Sequence, residues 1–78
     1  MVSLEEARKK WEEIEREDAE VRERMADWEF INSQKPLIRN ALIYYIKTGD
    51  IRRACKLARM NIVDFRNLLR KANIPVIT

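Results

Sequence analysis

Residues 50–72 read DIRRACKLARMNIVDFRNLLRKA, and the fold turns on this stretch. Asp50 carries the short carboxylate that accepts from the first free N–H groups of a helix, so a helix is predicted over Ile51–Ala58. Asn61 repeats that signal just beyond, and a second helix is predicted over 62–72. Arg59 and Met60 leave room only for a tight turn between them. Ala54 and Cys55 are small enough for two helices to cross closely, Ala58 and Met60 bracket the turn, and Phe65 and Leu68 would pack the second helix on the first. Two helices of about eight and eleven residues joined by a three-residue turn fit the helix-turn-helix description. The turn position sits at positive φ and is normally Gly; here it is Arg59, at a cost of about 1 kcal/mol.

Upstream, the chain breaks at Ser33-Gln34-Lys35-Pro36, where Pro36 suits the first turn of a new helix. Leu37, Ile38, Ala41, Leu42, Tyr45 and Ile46 keep helical spacing until Thr48-Gly49, a C-terminal glycine signal. Downstream, Asn73 and Pro75 stop the last helix and leave an extended tail over 74–78. Residues 33–78 therefore read as a small three-helix bundle containing the helix-turn-helix.

The preceding residues have a different period. Ser3 and Glu6 have capping-box spacing, and apolar residues then recur at steps of three and four. With Leu4 at position a, the a positions are Leu4, Trp11, Asp18, Met25 and Asn32; the d positions are Ala7, Ile14, Val21 and Trp28. This predicts one continuous helix over residues 1–32, roughly 40 Å long at ~1.5 Å per residue, with a coiled-coil seam. In a parallel pair, Lys10 would face Glu15, Glu17 would face Arg22, and Arg24 would face Glu29, all attractive. An antiparallel pairing would set Lys10 against Arg24. A parallel homodimer is the favoured expectation. Asp18 would meet its symmetry mate unless Arg22 neutralises it, and the two Trp are large for a two-stranded seam. The alternative folds the acidic helix back on the basic half, within one chain or across a dimer.

Composition supports an all-α chain with a small core. Seventy-eight residues bury only about 60% of their unfolded surface, so oligomerisation is a common remedy. One Gly and two Pro favour helix over turn-rich β structure. Charged residues make up 37%, against the usual ~25%. Net charge is +3, but it is divided unevenly. Residues 1–32 hold six basic against eleven acidic side chains (−5), and residues 33–78 hold ten against two (+8). A basic segment of this kind is the electrostatic footprint of a nucleic-acid binder, or an ordinary solvated surface.

Several function classes are disfavoured by what the chain lacks. There is no His and one Cys, so no Cys/His metal cluster and no His-assisted nucleophile are expected, and no cofactor is called for. Gly49 is the single glycine, so no Gly-rich phosphate loop exists. An enzyme is not expected. No apolar run approaches 18 residues, and Glu5 and Glu6 stand where a signal peptide needs an apolar core. With one cysteine and no membrane segment, the expected compartment is the cytoplasm. Cys55 reads as a small core residue.

Ala41-Leu42, Gly49, Ile51, Ala54, Leu57-Ala58, Met60-Asn61, Phe65, Leu68-Leu69 and Ile74-Pro75-Val76 together resemble an uncharacterised family of small prokaryotic helix-turn-helix proteins predicted to be antitoxins. The resemblance covers residues 41–77, about half the chain. It implies a DNA-binding fold and, more loosely, a toxin–antitoxin or regulatory role. The family's usual N-terminal segment is replaced here by the heptad helix, and no long tail follows Val76.

If the last helix enters the major groove, its N-terminal and outward residues meet base edges: Asn61, Ile62, Val63, Arg66, Asn67 and Arg70. Arg pairs bidentately with guanine and Asn with adenine, which singles out Arg66 and Asn67. Asn61 has an alternative role as a helix cap. Arg52, Arg53, Lys56, Arg59 and Lys71 are candidates for phosphate contacts, which position without reading sequence; Lys35 and Arg39 would extend the grip. The leading expectation is a dimeric transcriptional regulator on double-stranded DNA. The alternatives are an antitoxin or adaptor that binds a toxin or other protein through its acidic helix, and a coiled-coil assembly module.

Overall fold

The computed structural model describes residues 3–76, with the side chains of Glu5 and of residues 10–15 left aside. All regular structure among the described residues is helical: α1 (Leu4–Met25), α2 (Trp28–Ser33), α3 (Pro36–Thr48), α4 (Ile51–Ala58) and α5 (Ile62–Lys71). Among the described residues no helix is long and apolar enough to cross a membrane.

Local chemistry accounts for most of these boundaries. The Ser3 hydroxyl accepts from the Glu6 amide at 3.2 Å, Asp50 Oδ1 from the Arg53 amide at 3.1 Å, and Asn61 Oδ1 from the Asp64 amide at 2.8 Å. Pro36 starts α3 where its missing N–H costs nothing. Gly49 ends α3 at φ +70°. Arg59 does stand in the left-handed region, at φ +56°. Its amide and that of Met60 bond back to Lys56 and Cys55, a Schellman closure without glycine. Asn73, also at φ +56°, closes α5 the same way, its amide and that of Ile74 reaching Arg70 and Leu69. Asn tolerates this conformation better than Arg.

The single helix expected through Asn32 is corrected. It breaks at Ala26-Asp27, where ψ is 139° and 92°. The reason is a competing cap: Asp27 Oδ1 accepts from the Phe30 amide at 3.1 Å and starts α2 afresh. The break is anchored from outside the helix, because the Asp27 amide donates to the Ala72 carbonyl at 2.7 Å. It also turns Ile31 inward. Trp28 therefore belongs to α2 and does not continue the α1 seam.

The core draws Ala26 and Ile31 from the acidic segment together with Ala41, Leu42, Tyr45 and Ile46 of α3. Ala54, Cys55 and Ala58 come from α4, Phe65 and Leu69 from α5, and Ala72 and Ile74 follow it. Phe65, Ile31, Leu42 and Leu69 are the largest fully buried side chains, and truncating any of them to Ala would cost on the order of 2–5 kcal/mol. The Tyr45 and Phe65 rings meet edge to face at 6.3 Å. The boundary read after Asn32 thus runs through side chains that share one core.

Among the described side chains of α1, only those at its end join this core. This end packs on α3 of the same chain through Arg22 and Ala26, which are buried, with Asp18 and Ala19 half-covered. Every described side chain from Ser3 to Lys9, and both Arg16 and Glu17, is exposed. The first turns of α1 therefore stand clear of the bundle, and the molecule is 47 Å long but only 23 by 19 Å across.

Candidate nucleic-acid interface

The short turn at Arg59 sets α4 and α5 side by side and sends their small and aromatic residues inward. What remains outside is mostly cationic. Arg52, Arg53 and Lys56 of α4, Arg59 in the turn, and Arg66, Arg70 and Lys71 of α5 are all exposed. Asp50 and Asp64 are the carboxylates on these elements, and each is partly occupied. Asp50 caps α4 and lies 3.7 Å from Arg53 Nε, a surface pair worth roughly 0–1 kcal/mol. Asp64 accepts from Asn61 Nδ2 at 3.0 Å.

The residues singled out for base contact divide into two groups. Val63, Asn67 and Arg70 follow at helical spacing on the side of α5 opposite Phe65 and Leu69, with Arg66 on the flank; all four are exposed, Val63 by 64%. Asn61 is also exposed, but both ends of its amide are engaged with Asp64, so the capping role is filled. Asp64 was missed in the sequence. It is an exposed carboxylate in the first turn of α5, able to accept hydrogen bonds. Its acidity inside a basic helix is the signal that would have marked it.

The phosphate candidates Arg52, Arg53, Lys56, Arg59 and Lys71 are all exposed, Arg53 beside Asp50. Lys35 is exposed, while Arg39 is half-buried with its Nε covered and without a partner in the structure.

A groove of about 420 Å³ runs beside this surface, between Met25 at the end of α1, Arg66 and Arg70 of α5, and the tail from Asn73 to Val76. Asn73 Nδ2 donates to the Met25 carbonyl at 2.9 Å and ties two of these residues together. The tail over 74–76 is therefore tied down: Ile74 is buried and Val76 packs against the core.

The apolar seam of the acidic segment is open in the single chain. Leu4 is 85% exposed, Val21 41% and Met25 48%; Ala7 is exposed and Asp18 half-covered. Trp28 is exposed on α2, its indole donating across the break to the Glu23 carbonyl at 2.9 Å. Trp11 and Ile14 lie outside the described side chains. The charge pairs expected to choose a parallel partner are altered. Arg22 is buried and committed elsewhere, so it neither faces Glu17 of a partner nor neutralises Asp18, and the break separates Arg24 from Glu29.

Burial pushes the Cys55 thiol and the Tyr45 phenol above their ordinary pKa values, against smaller opposing effects of nearby charge: Arg22 and Arg66 for Tyr45, Arg66 for Cys55. Burial therefore favours the neutral thiol and phenol over the thiolate and phenolate. Among the described residues no three His, Cys, Asp or Glu side chains converge to hold a metal ion. Comparison with family models, with curated proteins and with solved structures returns no match.

Proposed function

We propose that this chain is a non-enzymatic, cytoplasmic DNA-binding protein, a helix-turn-helix regulator that lays α5 in the major groove of double-stranded DNA. One observation supports this most directly: Val63, Arg66, Asn67 and Arg70 form an exposed face on α5, beside a row of unburied cations on α4. The major groove admits an α-helix, and bidentate Arg and Asn contacts read guanine and adenine there. Arg52, Arg53, Lys56, Arg59 and Lys71 supply the phosphate grip that positions it. Asp64 narrows the choice of bases by rejecting acceptors at its own position.

The regulator acts as a homodimer in this reading. The open seam of Leu4, Ala7, Val21 and Met25 on α1, with Trp28 beside it, is the surface that pairs. The same open seam supports a second reading, an antitoxin or adaptor whose acidic helix holds a toxin or other basic protein.

A gel-shift titration on random duplex DNA at 50 and 200 mM salt tests the proposal. Three or four phosphate contacts per subunit neutralise about six to eight phosphates in a dimer, so affinity falls by ~10³ or more between the two conditions. No shift at 50 mM salt would overturn the regulator and leave the basic face to a protein partner.

A further inference from the structure

We infer that the groove between Met25, α5 and the C-terminal tail binds a small organic anion, a carboxylate on an apolar body. Three features of the structure carry this. The walls are held in advance: Asn73 Nδ2 bonds the Met25 carbonyl at 2.9 Å, the Asp27 amide bonds the Ala72 carbonyl at 2.7 Å, and the Ile74 amide bonds the Leu69 carbonyl at 2.9 Å. Little ordering is left for a ligand to impose. The lining mixes apolar and cationic groups: Met25, Pro75 and Val76 offer hydrocarbon, while Arg66 and Arg70 project from successive turns of α5. Among the described residues neither guanidinium has a carboxylate partner, and no described lining residue carries a negative charge to complement them. Arginines four apart on a helix lie about 5–6 Å from one another at Cβ, close enough to share one carboxylate.

Size limits the occupant. The groove holds about 420 Å³, in the lower part of the ~300–1,000 Å³ range of small-molecule sites. A one- or two-ring carboxylate fits this volume. The consequence is regulatory and rests on the DNA-binding reading: Arg66 and Arg70 cannot hold the anion and meet bases at once, so ligand and DNA compete.

The test titrates the full chain with 2-naphthoate and, separately, with neutral 2-naphthamide, following backbone amide resonances. Naphthoate should move Met25, Arg66, Arg70, Asn73 and Val76, and should bind on the order of tenfold or more tighter than the amide. Arg66→Gln/Arg70→Gln should bring both probes to the same weak affinity. Pro75→Glu, which leaves both α5 and the seam of α1 untouched, should abolish naphthoate binding through like charge. Equal binding of the two probes, or shifts confined to Leu4, Ala7 and Val21 on α1, would overturn the site. A DNA arm separates the two ideas. Naphthoate binding in the groove with no duplex binding at 50 mM salt sustains the site and removes only the competition.

Discussion

Arg22 Nε donates a 2.9 Å hydrogen bond to the Ile46 carbonyl, joining the end of α1 to the last turn of α3. The acceptor is one of the carbonyls a helix end leaves unpaired, at the negative end of the α3 dipole. The guanidinium also lies over the Tyr45 ring, 5.7 Å from its centroid, and Gly49 leaves room beside it. A buried cation is tolerated here because a carbonyl, a π face and a helix dipole all favour its charge. It orients the acidic helix on the basic bundle.

Arg22→Ala should therefore be among the more damaging polar substitutions in the chain. A hydrogen bond to a charged group is worth about 1.5–3 kcal/mol and a cation–π contact ~0.5–1 more, so stability should drop by roughly 2–4 kcal/mol. At ~4–8 °C per kcal/mol, the melting temperature followed by helical circular dichroism should fall by at least about 8 °C. Gly49→Ala should cost about 1–2 kcal/mol, because Ala resists φ +70° and its Cβ would stand 3.3 Å from Arg22 Nη2. A melting temperature unchanged in Arg22→Ala would mean that Ala26 and the bonds from Asp27 to Ala72 and from Asn73 to Met25 suffice to hold α1.

Arg59→Gly should do two opposite things. It relieves a left-handed residue with a Cβ and should raise stability by about 0.5–1 kcal/mol in urea unfolding. It also deletes a proposed phosphate contact, so the salt slope of DNA binding should fall by ~1. A variant that is more stable and binds with an undiminished slope would place Arg59 away from the backbone of the duplex.

Alkaline pH should loosen the core. Cys55 and Tyr45 hold their protons longer in the folded protein than at their ordinary values of 9.0 and 10.0, chiefly because burial penalises the charged forms. Between the unfolded and folded values the unfolded chain binds fewer protons, so stability decreases as pH rises. The contribution is intact below pH 9, declines from there through Cys55 and above pH 10 through Tyr45 as well. Denaturation curves from pH 8 to 11 should show that decline, and Cys55→Ala should flatten its first part. The same slope in Cys55→Ala would exclude the thiol as its source.

Sedimentation should report a dimer at micromolar concentration. Val21→Lys/Met25→Lys should give a monomer with unchanged helix content, since both side chains are exposed in the single chain. Asp18→Asn should strengthen the dimer modestly if Asp18 faces its mate. A full-length monomer at that concentration would dismiss the intermolecular seam.

On DNA, two kinds of substitution should separate. Arg53→Ala and Lys56→Ala should weaken binding to all sequences alike and flatten the salt slope. Arg66→Ala and Asn67→Ala should cost roughly 1–3 kcal/mol on a preferred site and relax its sequence preference. In a dimer, the two preferred half-sites should lie about 34 Å apart. Uniform weakening by all four would reduce α5 to a phosphate-binding surface.

Local chemistry was legible without any coordinates. The starts of α3, α4 and α5, the left-handed turn at Arg59 and the Gly49 stop each depend on one residue and its nearest neighbours in sequence, so the sequence by itself determined them. The small residues of α4 and the aromatic Phe65 were readable as core for the same reason, through helical period. The tertiary structure alone decided the burial of Arg22 and Ile31 and the bond from Asn73 to the Met25 carbonyl, and it anchored the break that Asp27 caps. A heptad runs on through residue 32 when only period is considered. The chain stops it because Asp27 can cap a new helix while its amide reaches Ala72, 45 residues away in sequence. Arg22 looked like a surface charge because its partners, Ile46 and Tyr45, are brought to it only by folding. Contacts between distant segments have no local signature, and here they set where the acidic helix lies and which cations remain free.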